Sequence, residues 1–290
     1  MEHKAGFVSI LGNPNVGKST LMNLLIGEHL SIITSKAQTT RHRIMGIVNG
    51  ENFQIVYSDT PGVLTPNYKM QEYMMNYVES ALGDSDVLLY VVECMETNCN
   101  QRVMDLIIQS KTPVILLVNK IDTATEEIIL AAKQHWENIL HPKQTYCISA
   151  LCGTNTNKIV DGIVDLLPFS PPYFPKDELT DRPMRFFVAE IIREKILLQF
   201  KKEIPYSVEV EITDYKEDEQ ITRINATIFV ERESQKAIIL GHKGQAIKEL
   251  GINSRISIEE FIGQKVFLAL SIKVHKDWRN DELRLKRFGY

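Results

Sequence analysis

Residues 12–19 read Gly12-Asn13-Pro14-Asn15-Val16-Gly17-Lys18-Ser19, which matches the G-x-x-x-x-G-K-[ST] pattern of a phosphate-binding loop. The apolar run 7–11 before it and the apolar-periodic segment that begins at Thr20 predict the strand and the helix that such a loop requires. Glycines let backbone N–H groups face phosphate oxygens, and the start of the helix adds positive potential. We therefore expect residues 12–20 to bind phosphates, with Lys18 on the β- and γ-phosphates and the Ser19 hydroxyl on Mg²⁺.

The bulk properties are typical of a globular protein with about two domains. The chain of 290 residues is 44% hydrophobic and 24% charged, and its net charge of −4 argues against a wholly basic nucleic-acid binder. The C-terminal stretch 232–290 nevertheless carries 12 Lys and Arg against 7 Asp and Glu. This local excess indicates either a site for a polyanion or a solvated charged surface.

Cysteine and histidine spacing indicates neither metal nor redox chemistry. The four cysteines lack the spacing of zinc or redox motifs, and the seven histidines form no cluster. The N-terminus lacks a secretory pattern, and no apolar stretch reaches the roughly 20 residues of a membrane span. We expect reduced cysteines, no structural metal and a soluble, cytoplasmic protein.

Residues 1–168 alternate between apolar strands and helix-length segments, which predicts an α/β domain with a doubly wound, mainly parallel sheet. The apolar runs 87–92 and 114–118 lack polar alternation, as expected for strands covered on both faces. Segments 43–48 and 53–58 flank Asn49-Gly50 and predict an antiparallel pair. Further predicted elements are an edge strand near 147–149 and helices at 70–82 and 126–139.

The stretch 168–183 holds five of the eleven prolines, so we predict a stiff, extended linker at 169–183. After it, the periodicity changes and predicts a separate α+β domain at 184–290. Its predicted order is αββααβ, with elements at 184–202, 207–213, 221–230, 234–240, 245–262 and 266–274.

A second phosphate-side motif, Asp59-Thr60-Pro61-Gly62, follows the predicted strand 53–58. An aspartate at such a strand end can hold Mg²⁺ through water, and the glycine lets a backbone N–H meet the γ-phosphate. Taken alone, the tetrapeptide is equally compatible with an ordinary turn.

The sequence Asn119-Lys120-Ile121-Asp122 ends the strand 114–118 and points to guanine. The Asp122 carboxylate can accept the N1–H and N2–H groups of guanine, and adenine offers no such donor pair. Lys120 can cover the base, and Asn119 can tie the base loop to the phosphate loop. Ser149, Ala150 and Leu151 are expected beside the base, with a backbone N–H of Ser149-Ala150 against guanine O6. Taken alone, the tetrapeptide could also be a helix cap, but its position after an apolar strand of a phosphate-loop domain favours guanine binding.

Between the phosphate loop and the antiparallel pair lies the polar run 37–43, which contains Thr39 and Thr40. A threonine hydroxyl here can complete Mg²⁺ coordination only when the γ-phosphate is present, which makes an order–disorder switch. We favour Thr40 over Thr39 as the ligand. The predicted metal site is then Ser19, Thr40 and Asp59, and the predicted catalytic groups are Lys18, Thr40 and Gly62.

The second domain contains Gly241-His242-Lys243-Gly244 between two predicted helices. A G-x-x-G loop in an αββααβ order is typical of a type II KH module, whose loop clamps phosphates of about four nucleotides. We expect this loop and Lys248 to bind RNA, with Ile239 and Ile247 lining a groove for bases. Core packing is the alternative for both isoleucines. Trp278 would either stack on a base or pack beneath the last helix.

Together, these motifs resemble the translation-factor-related small GTPases. The run Gln38-Thr39-Thr40-Arg41-His42-Arg43 and the end of the chain, 276–290, are similar to the bacterial Era family in particular. The resemblance implies a slow GTPase that uses GTP, GDP and Mg²⁺. It also implies that the KH domain binds the 3′ end of 16S ribosomal RNA on the 30S subunit during its maturation. A monomer with peripheral contact to the cell membrane is a further expectation.

The catalytic glutamine of signalling GTPases is missing, because Val63 follows Gly62. In related GTPases an asparagine at the position of Asn15 helps to bind K⁺, and we hypothesise the same role here. Support of the loop's backbone turn is the alternative for Asn15. Two other functions are alternatives for the whole chain. One is a KH module that binds RNA constitutively, and the other is a phosphate-loop kinase, which has no use for Asn119–Asp122.

Overall fold

The computed structural model describes residues 3–290, so the first two residues of the predicted domain 1–168 lie outside it. The chain divides into two compact units. The first comprises the chain up to Asn67 together with Gln71–Asp181, and the second comprises Tyr68–Met70 and Arg182–Tyr290. The boundary after Asp181 falls inside the predicted linker.

A six-stranded sheet forms the centre of the first unit, with the order β2-β3-β1-β4-β5-β6. Strands β2 and β3 are antiparallel and the other neighbours are parallel, which confirms the predicted fold class. The edge strand expected at 147–149 instead ends at residue 147, because the chain then turns through a bridge between Ser149 and Thr154. The strands are β1 Lys4–Leu11, β2 Ile44–Asn49, β3 Phe53–Asp59, β4 Val87–Glu93, β5 Val114–Asn119 and β6 Gln144–Cys147.

Helices cover both faces of this sheet, as its uninterrupted apolar strands require. Strand β5 is buried along its whole length, and fully buried Trp136 packs against Tyr90 with ring centroids 5.6 Å apart. The helices are α1 Lys18–Ile26, α2 Lys69–Gly83, α3 Gln101–Ser110, α4 Glu126–Leu140 and α5 Asn157–Leu166.

The proline-rich stretch is held against the edge of the same sheet. The Gln54 side chain donates to Phe174 O (2.8 Å) and accepts from Tyr173 N (2.7 Å). Further along, Ile47 N donates to Leu179 O (2.8 Å). The bond from Ile47 N occupies a backbone group of β2 that an edge strand would otherwise expose. The predicted extended connection is therefore largely part of the first unit.

The second unit contains the predicted αββααβ order plus two short helices. Strand β8 pairs antiparallel with β7 and parallel with β9. The first helix ends at residue 199 rather than 202, and an extra turn of helix at 204–207 delays the next strand to Glu209, because Pro205 starts a new helix rather than continuing the old one. The elements are α6 Met184–Gln199, α7 Ile204–Ser207, β7 Glu209–Lys216, β8 Thr222–Val230, α8 Glu233–Leu240, α9 Gln245–Ile262, β9 Val266–Val274 and α10 Glu282–Arg287.

The C-terminal segment is packed onto this sheet. Trp278 is fully buried, its indole N–H donates to Ser207 O (3.1 Å), and its ring meets Phe288 edge-on. The Tyr290 hydroxyl donates to Glu209 (2.7 Å). Packing is thus the role of Trp278, and the alternative of base stacking is wrong.

Residues 3–290 contain no helix with the length and apolarity needed to span a bilayer. Nor do they contain a group of three or more His, Cys, Asp or Glu side chains arranged to hold a metal ion, and the four cysteines are free thiols. Peripheral membrane contact and a monomeric state stay predictions.

Candidate functional site

A pocket of about 370 Å³ lies at the carboxyl end of the first unit's sheet. It is lined from five segments of the chain, within 14–20, 32–40, 62, 119–123 and 149–151. Because these are the ends of β1, β3, β5 and β6 and the run that leads to β2, the doubly wound topology brings the predicted motifs together.

The phosphate loop has the backbone that its sequence predicts. Gly12 and Gly17 have φ of +148° and +98°, and a Cβ at Gly12 would lie 2.2 Å from Val91 O. Lys18 is 6% exposed, and its amine donates to Gly12 O (3.0 Å) and Asn13 O (2.8 Å). Desolvation lowers the pKa of Lys18 to about 8, although the charges of nearby carboxylates raise it.

Three hydroxyl and carboxyl groups converge beside Lys18. The Ser19 hydroxyl lies 2.7 Å from Asp59 Oδ2 and 2.8 Å from Thr40 Oγ1, and Thr40 Oγ1 lies 3.3 Å from Asp59 Oδ2. Thr39 instead bonds to Thr34 Oγ1 (2.6 Å), so the structure places Thr40 at the predicted metal site.

This cluster fits a divalent cation. Within residues 3–290, the buried Asp59 Oδ1 has no hydrogen-bond partner. Burial raises the pKa of Asp59, whereas the Ser19 bond and the Lys18 charge lower it. Adjacent ligands of octahedral Mg²⁺ lie about 3 Å apart, given bonds of about 2.1 Å. The 2.8 Å between Ser19 Oγ and Thr40 Oγ1 therefore suits two adjacent Mg²⁺ ligands. The Asp59 carboxylate beside them suits the water-mediated contact that the sequence predicts.

The Asp59–Gly62 turn packs directly on the phosphate loop. Val63 N donates to Gly12 O (3.2 Å), and a Cβ at Gly62 would lie 2.7 Å from Pro14 Cα. The Thr60 hydroxyl donates to Ile10 O (2.8 Å), so its side chain faces the interior rather than the pocket. Val63 is in the apolar core and has no means of orienting water.

The guanine motif is organised by Asn119, which is 2% exposed. Its amide donates to Val16 O (2.7 Å) and accepts from Ala150 N (2.9 Å), so it ties the phosphate loop and the 149–151 loop to β5. A backbone N–H of Ser149-Ala150 is expected at guanine O6, but in the structure the Ala150 N–H is engaged by Asn119 and the Ser149 N–H donates to Thr154 O (3.2 Å). Asp122 and Leu151 are exposed along the same pocket.

Some predicted nucleotide-binding residues contribute no side chain to the pocket. Val16 is buried, and Asn13 donates to Glu96 Oε1 (2.5 Å) and Asn98 O (2.9 Å) outside it. Only their backbone groups remain for phosphate. Conversely, the pocket is lined by residues that the motifs did not identify: Ile32, Ile33, Thr34, Ser35, Lys36 and Gln38. The one feature of the sequence that could have identified them is their position within eight residues before Thr40.

In the second unit, the G-x-x-G loop joins α8 and α9 as predicted. Gly241 has φ +70° and ψ −178°, a conformation nearly restricted to glycine, and a Cβ there would lie 2.6 Å from Ala246 Cβ. Gly244 has φ +77° with open space around it, and His242 and Lys243 are exposed. The loop presents its backbone and its lysine to solvent, as phosphate binding requires.

The groove expected beside this loop is only partly present. Lys248 is exposed and Ile247 is half-buried, so both are accessible to RNA. Ile239 is fully buried in the core of the second unit. Its predicted contact with bases is therefore wrong, because α8 turns this side chain inward against the sheet.

Comparisons with known proteins match both units. Residues 7–120 match the family model described as 50S ribosome-binding GTPase, and residues 203–279 match the KH domain model. GTPase Era of Carboxydothermus hydrogenoformans is 44% identical over 100% of this chain and 99% of its own length. GTPase Era of Geotalea daltonii is 42% identical over 99% and 97%.

Solved structures of Era are also similar. An Era variant from Aquifex aeolicus bound to GDP·AlF4⁻ is 36% identical, with a TM-score of 0.95 and coverage of 99% of both chains. Era in complex with MgGDPNP and nucleotides 1506–1542 of 16S ribosomal RNA matches with the same identity, coverage and TM-score.

Proposed function

The chain belongs to the Era family and is a GTPase, and on this premise we propose that its nucleotide state controls RNA binding by the second unit. The proposed GTPase domain is 1–168, and the proposed RNA-binding KH domain is 184–290. A role in maturation of the small ribosomal subunit is part of the proposal. It is supported by the similar Era structure that contains nucleotides 1506–1542 of 16S ribosomal RNA.

The contact of Thr40 with Ser19 and Asp59 is the observation that carries the proposal. It joins the segment before β2 to the phosphate side of the pocket. Mg²⁺, when bound there, would neutralise charge between the β- and γ-phosphates. Lys18 would contact the same phosphates, and the Gly62 N–H would meet the γ-phosphate. Loss of that phosphate would release Thr40 and its segment, which is an order–disorder switch.

Guanine selection is assigned to Asp122, with Lys120 beside the base. The Lys120 amine pairs with Glu93 (2.6 Å), so its aliphatic stem is the part that faces the pocket. Asp122 has an exposed carboxylate on the pocket wall, where guanine N1–H and N2–H can donate to it. Adenine would leave this carboxylate without donors.

We further propose that Asn15 and the carbonyl of Ser35 hold K⁺ during hydrolysis. Asn15 has φ +65°, and its amide donates to Ser35 O (3.2 Å), so two oxygen-bearing groups already meet across the pocket. A cation there would help to neutralise phosphate charge, since Val63 cannot orient water. Equal turnover in K⁺ and Na⁺ buffers, or unchanged turnover in Asn15→Ala, would contradict this role.

The test of the switch is the affinity of the full chain for an RNA with the sequence of nucleotides 1506–1542, measured with a GTP analogue, with GDP and without nucleotide. We expect the three affinities to differ by about tenfold or more, which corresponds to a typical coupling free energy. Equal affinities would indicate a constitutive RNA-binding module instead.

A variant pair tests the RNA site itself. Lys243→Glu places a negative charge on the G-x-x-G loop and should weaken RNA binding in every nucleotide state. Lys265→Glu is the matched control, because Lys265 is also exposed but precedes β9, outside that loop. Equal losses in the two variants would show general charge attraction rather than a site at the loop.

A further inference from the structure

The loop between β4 and α3, residues 94–100, touches the phosphate loop from outside the pocket. The Asn13 amide donates to Glu96 Oε1 (2.5 Å) and to Asn98 O (2.9 Å). Asn13 and Glu96 are 83 residues apart in sequence. The side chain of a phosphate-loop residue is thereby fixed by a half-buried carboxylate that belongs to none of the nucleotide-binding motifs.

Two backbone hydrogen bonds hold this loop. The indole N–H of Trp136, a fully buried residue of α4, donates to Glu96 O (3.0 Å). Glu96 N donates to Glu93 O (3.0 Å), which closes a turn at the end of β4. Both anchors use backbone atoms of Glu96, so replacement of its side chain leaves them in place. Within the described part of the chain it removes, besides the Asn13 bond, only a long bond from Glu93 N to Glu96 Oε2 (3.4 Å).

The position of Asn13 matters for Lys18. The Lys18 amine donates to the carbonyls of Gly12 and Asn13, at 3.0 and 2.8 Å. Any rotation of the Asn13 peptide therefore moves an acceptor of the buried amine. The Glu96 carboxylate fixes the Asn13 side chain by a hydrogen bond, and this restricts rotation of the Asn13 peptide. The carbonyl of that peptide in turn accepts from the Lys18 amine.

The same stretch of chain also contacts the base side. The Glu93 carboxylate pairs with Lys120 (2.6 Å), and the Cys94 thiol donates to Asn119 O (3.3 Å). Residues 93–98 thus join the phosphate loop to the guanine motif behind the pocket.

We propose that Glu96 is a positioning residue for the nucleotide, which acts through Asn13 to keep the phosphate loop and Lys18 in their binding conformation. The inference rests on the proposed nucleotide site. A carboxylate is a stronger acceptor than water for a partly buried amide, so the loop is held before the nucleotide arrives. Without Glu96 the loop must be ordered by the nucleotide itself, and the nucleotide leaves faster.

The experiment measures dissociation of a fluorescent GDP from the full chain by stopped flow. Glu96→Ala should raise the dissociation rate by about tenfold, as loss of one charge-assisted hydrogen bond predicts. Glu96→Gln retains an acceptor oxygen and should stay within about threefold of the parent chain. Asn13→Ala also loses the bond to Asn98 O and should raise the rate at least as much as Glu96→Ala. The double variant should raise it by clearly less than the product of the two single effects, because the two side chains share the Asn13–Glu96 bond.

Glu79→Ala, which breaks an exposed ion pair with Arg102 elsewhere in the first unit, is the control and should dissociate GDP at the parent rate. An unchanged rate in Glu96→Ala, or additive effects in the double variant, would overturn the proposal. If Glu96→Ala lowers the Tm of the nucleotide-free protein but dissociates GDP at the parent rate, Glu96 is only a stabilising residue and the proposal is wrong. If the parent chain binds no fluorescent GDP, or Lys18→Ala binds it equally well, the proposed nucleotide site itself is wrong.

Discussion

Nucleotide binding should take up a proton at Lys18 near pH 8. Desolvation of the buried amine lowers its pKa from 10.5 to about 8 in the nucleotide-free protein. Phosphate oxygens beside the amine restore a normal or higher pKa. The uptake follows from the neutral fraction of Lys18 and should be about 0.1 proton at pH 7.0, about 0.5 at pH 8.0 and about 0.75 at pH 8.5.

Because binding is coupled to protonation of Lys18, the affinity for GDP also depends on pH. Between pH 7.0 and 8.5 the dissociation constant of GDP should rise about fourfold, because the free protein progressively loses the charge that the phosphates need. The stability of the nucleotide-free fold depends on pH in the opposite direction, since it increases as the pH rises. A lysine with a depressed native pKa destabilises the nucleotide-free protein below pH 8 by at most about 3.5 kcal/mol. This penalty is relieved as the pH rises from 8 to 10.5.

The assay is titration calorimetry of GDP binding in buffers of different ionisation enthalpy, which gives the number of protons taken up. Mg²⁺ is left out, because its binding would change the protonation of Asp59. Lys18→Arg is the control, because its guanidinium stays charged and its binding, although weaker, should take up no proton. Proton uptake below about 0.1 at pH 8.0 in the parent chain would refute the desolvation argument.

Three further changes test other parts of the two sites. Asp122→Asn should lower affinity for GTP by about a hundredfold and favour xanthosine triphosphate, in competition assays; retained GTP selectivity would contradict the assignment of the base. Asn119→Ala leaves two buried backbone groups unpaired, at about 1–3 kcal/mol each, so the Tm and the GDP affinity should both fall; an unchanged affinity would separate Asn119 from the site. Gly241→Ala should destabilise the protein to denaturant by more than Gly244→Ala, because both have positive φ but only the former meets a Cβ clash; equal losses would contradict the loop geometry.

Local sequence predicted the pocket well because its motifs are short and self-contained. Lys18, Ser19 and Asp122 each stand at a fixed offset from a strand end, so the fold carries them to the pocket in any chain with this alternation. The same argument could not separate Thr39 from Thr40. Adjacent residues on an irregular segment have no periodicity to separate them. The hydrogen bonds of Thr40 to Ser19 and Asp59 support the proposal that Thr40 is the ligand.

Predictions for the second unit were correct for elements and less so for side chains. Ile239 and Ile247 flank the same loop, yet the first is fully buried and the second half-buried. Trp278 lies beyond the last strand and is buried as well. An apolar residue beside a binding loop satisfies the pattern of a groove and the pattern of a core equally, and only its neighbours in space distinguish them.

By itself, the sequence determined the two fold classes, their order, the family and the chemistry of the nucleotide motifs, since these depend on periodicity and on residues within about ten positions of one another. The tertiary structure alone decided which atoms are free to act. It engaged the Ala150 N–H with Asn119, placed Asn13 on Glu96 and seated the Lys18 amine between two carbonyls. Hydrogen bonds between residues distant in the chain leave no trace in spacing, because they depend on where the packed strands bring each loop.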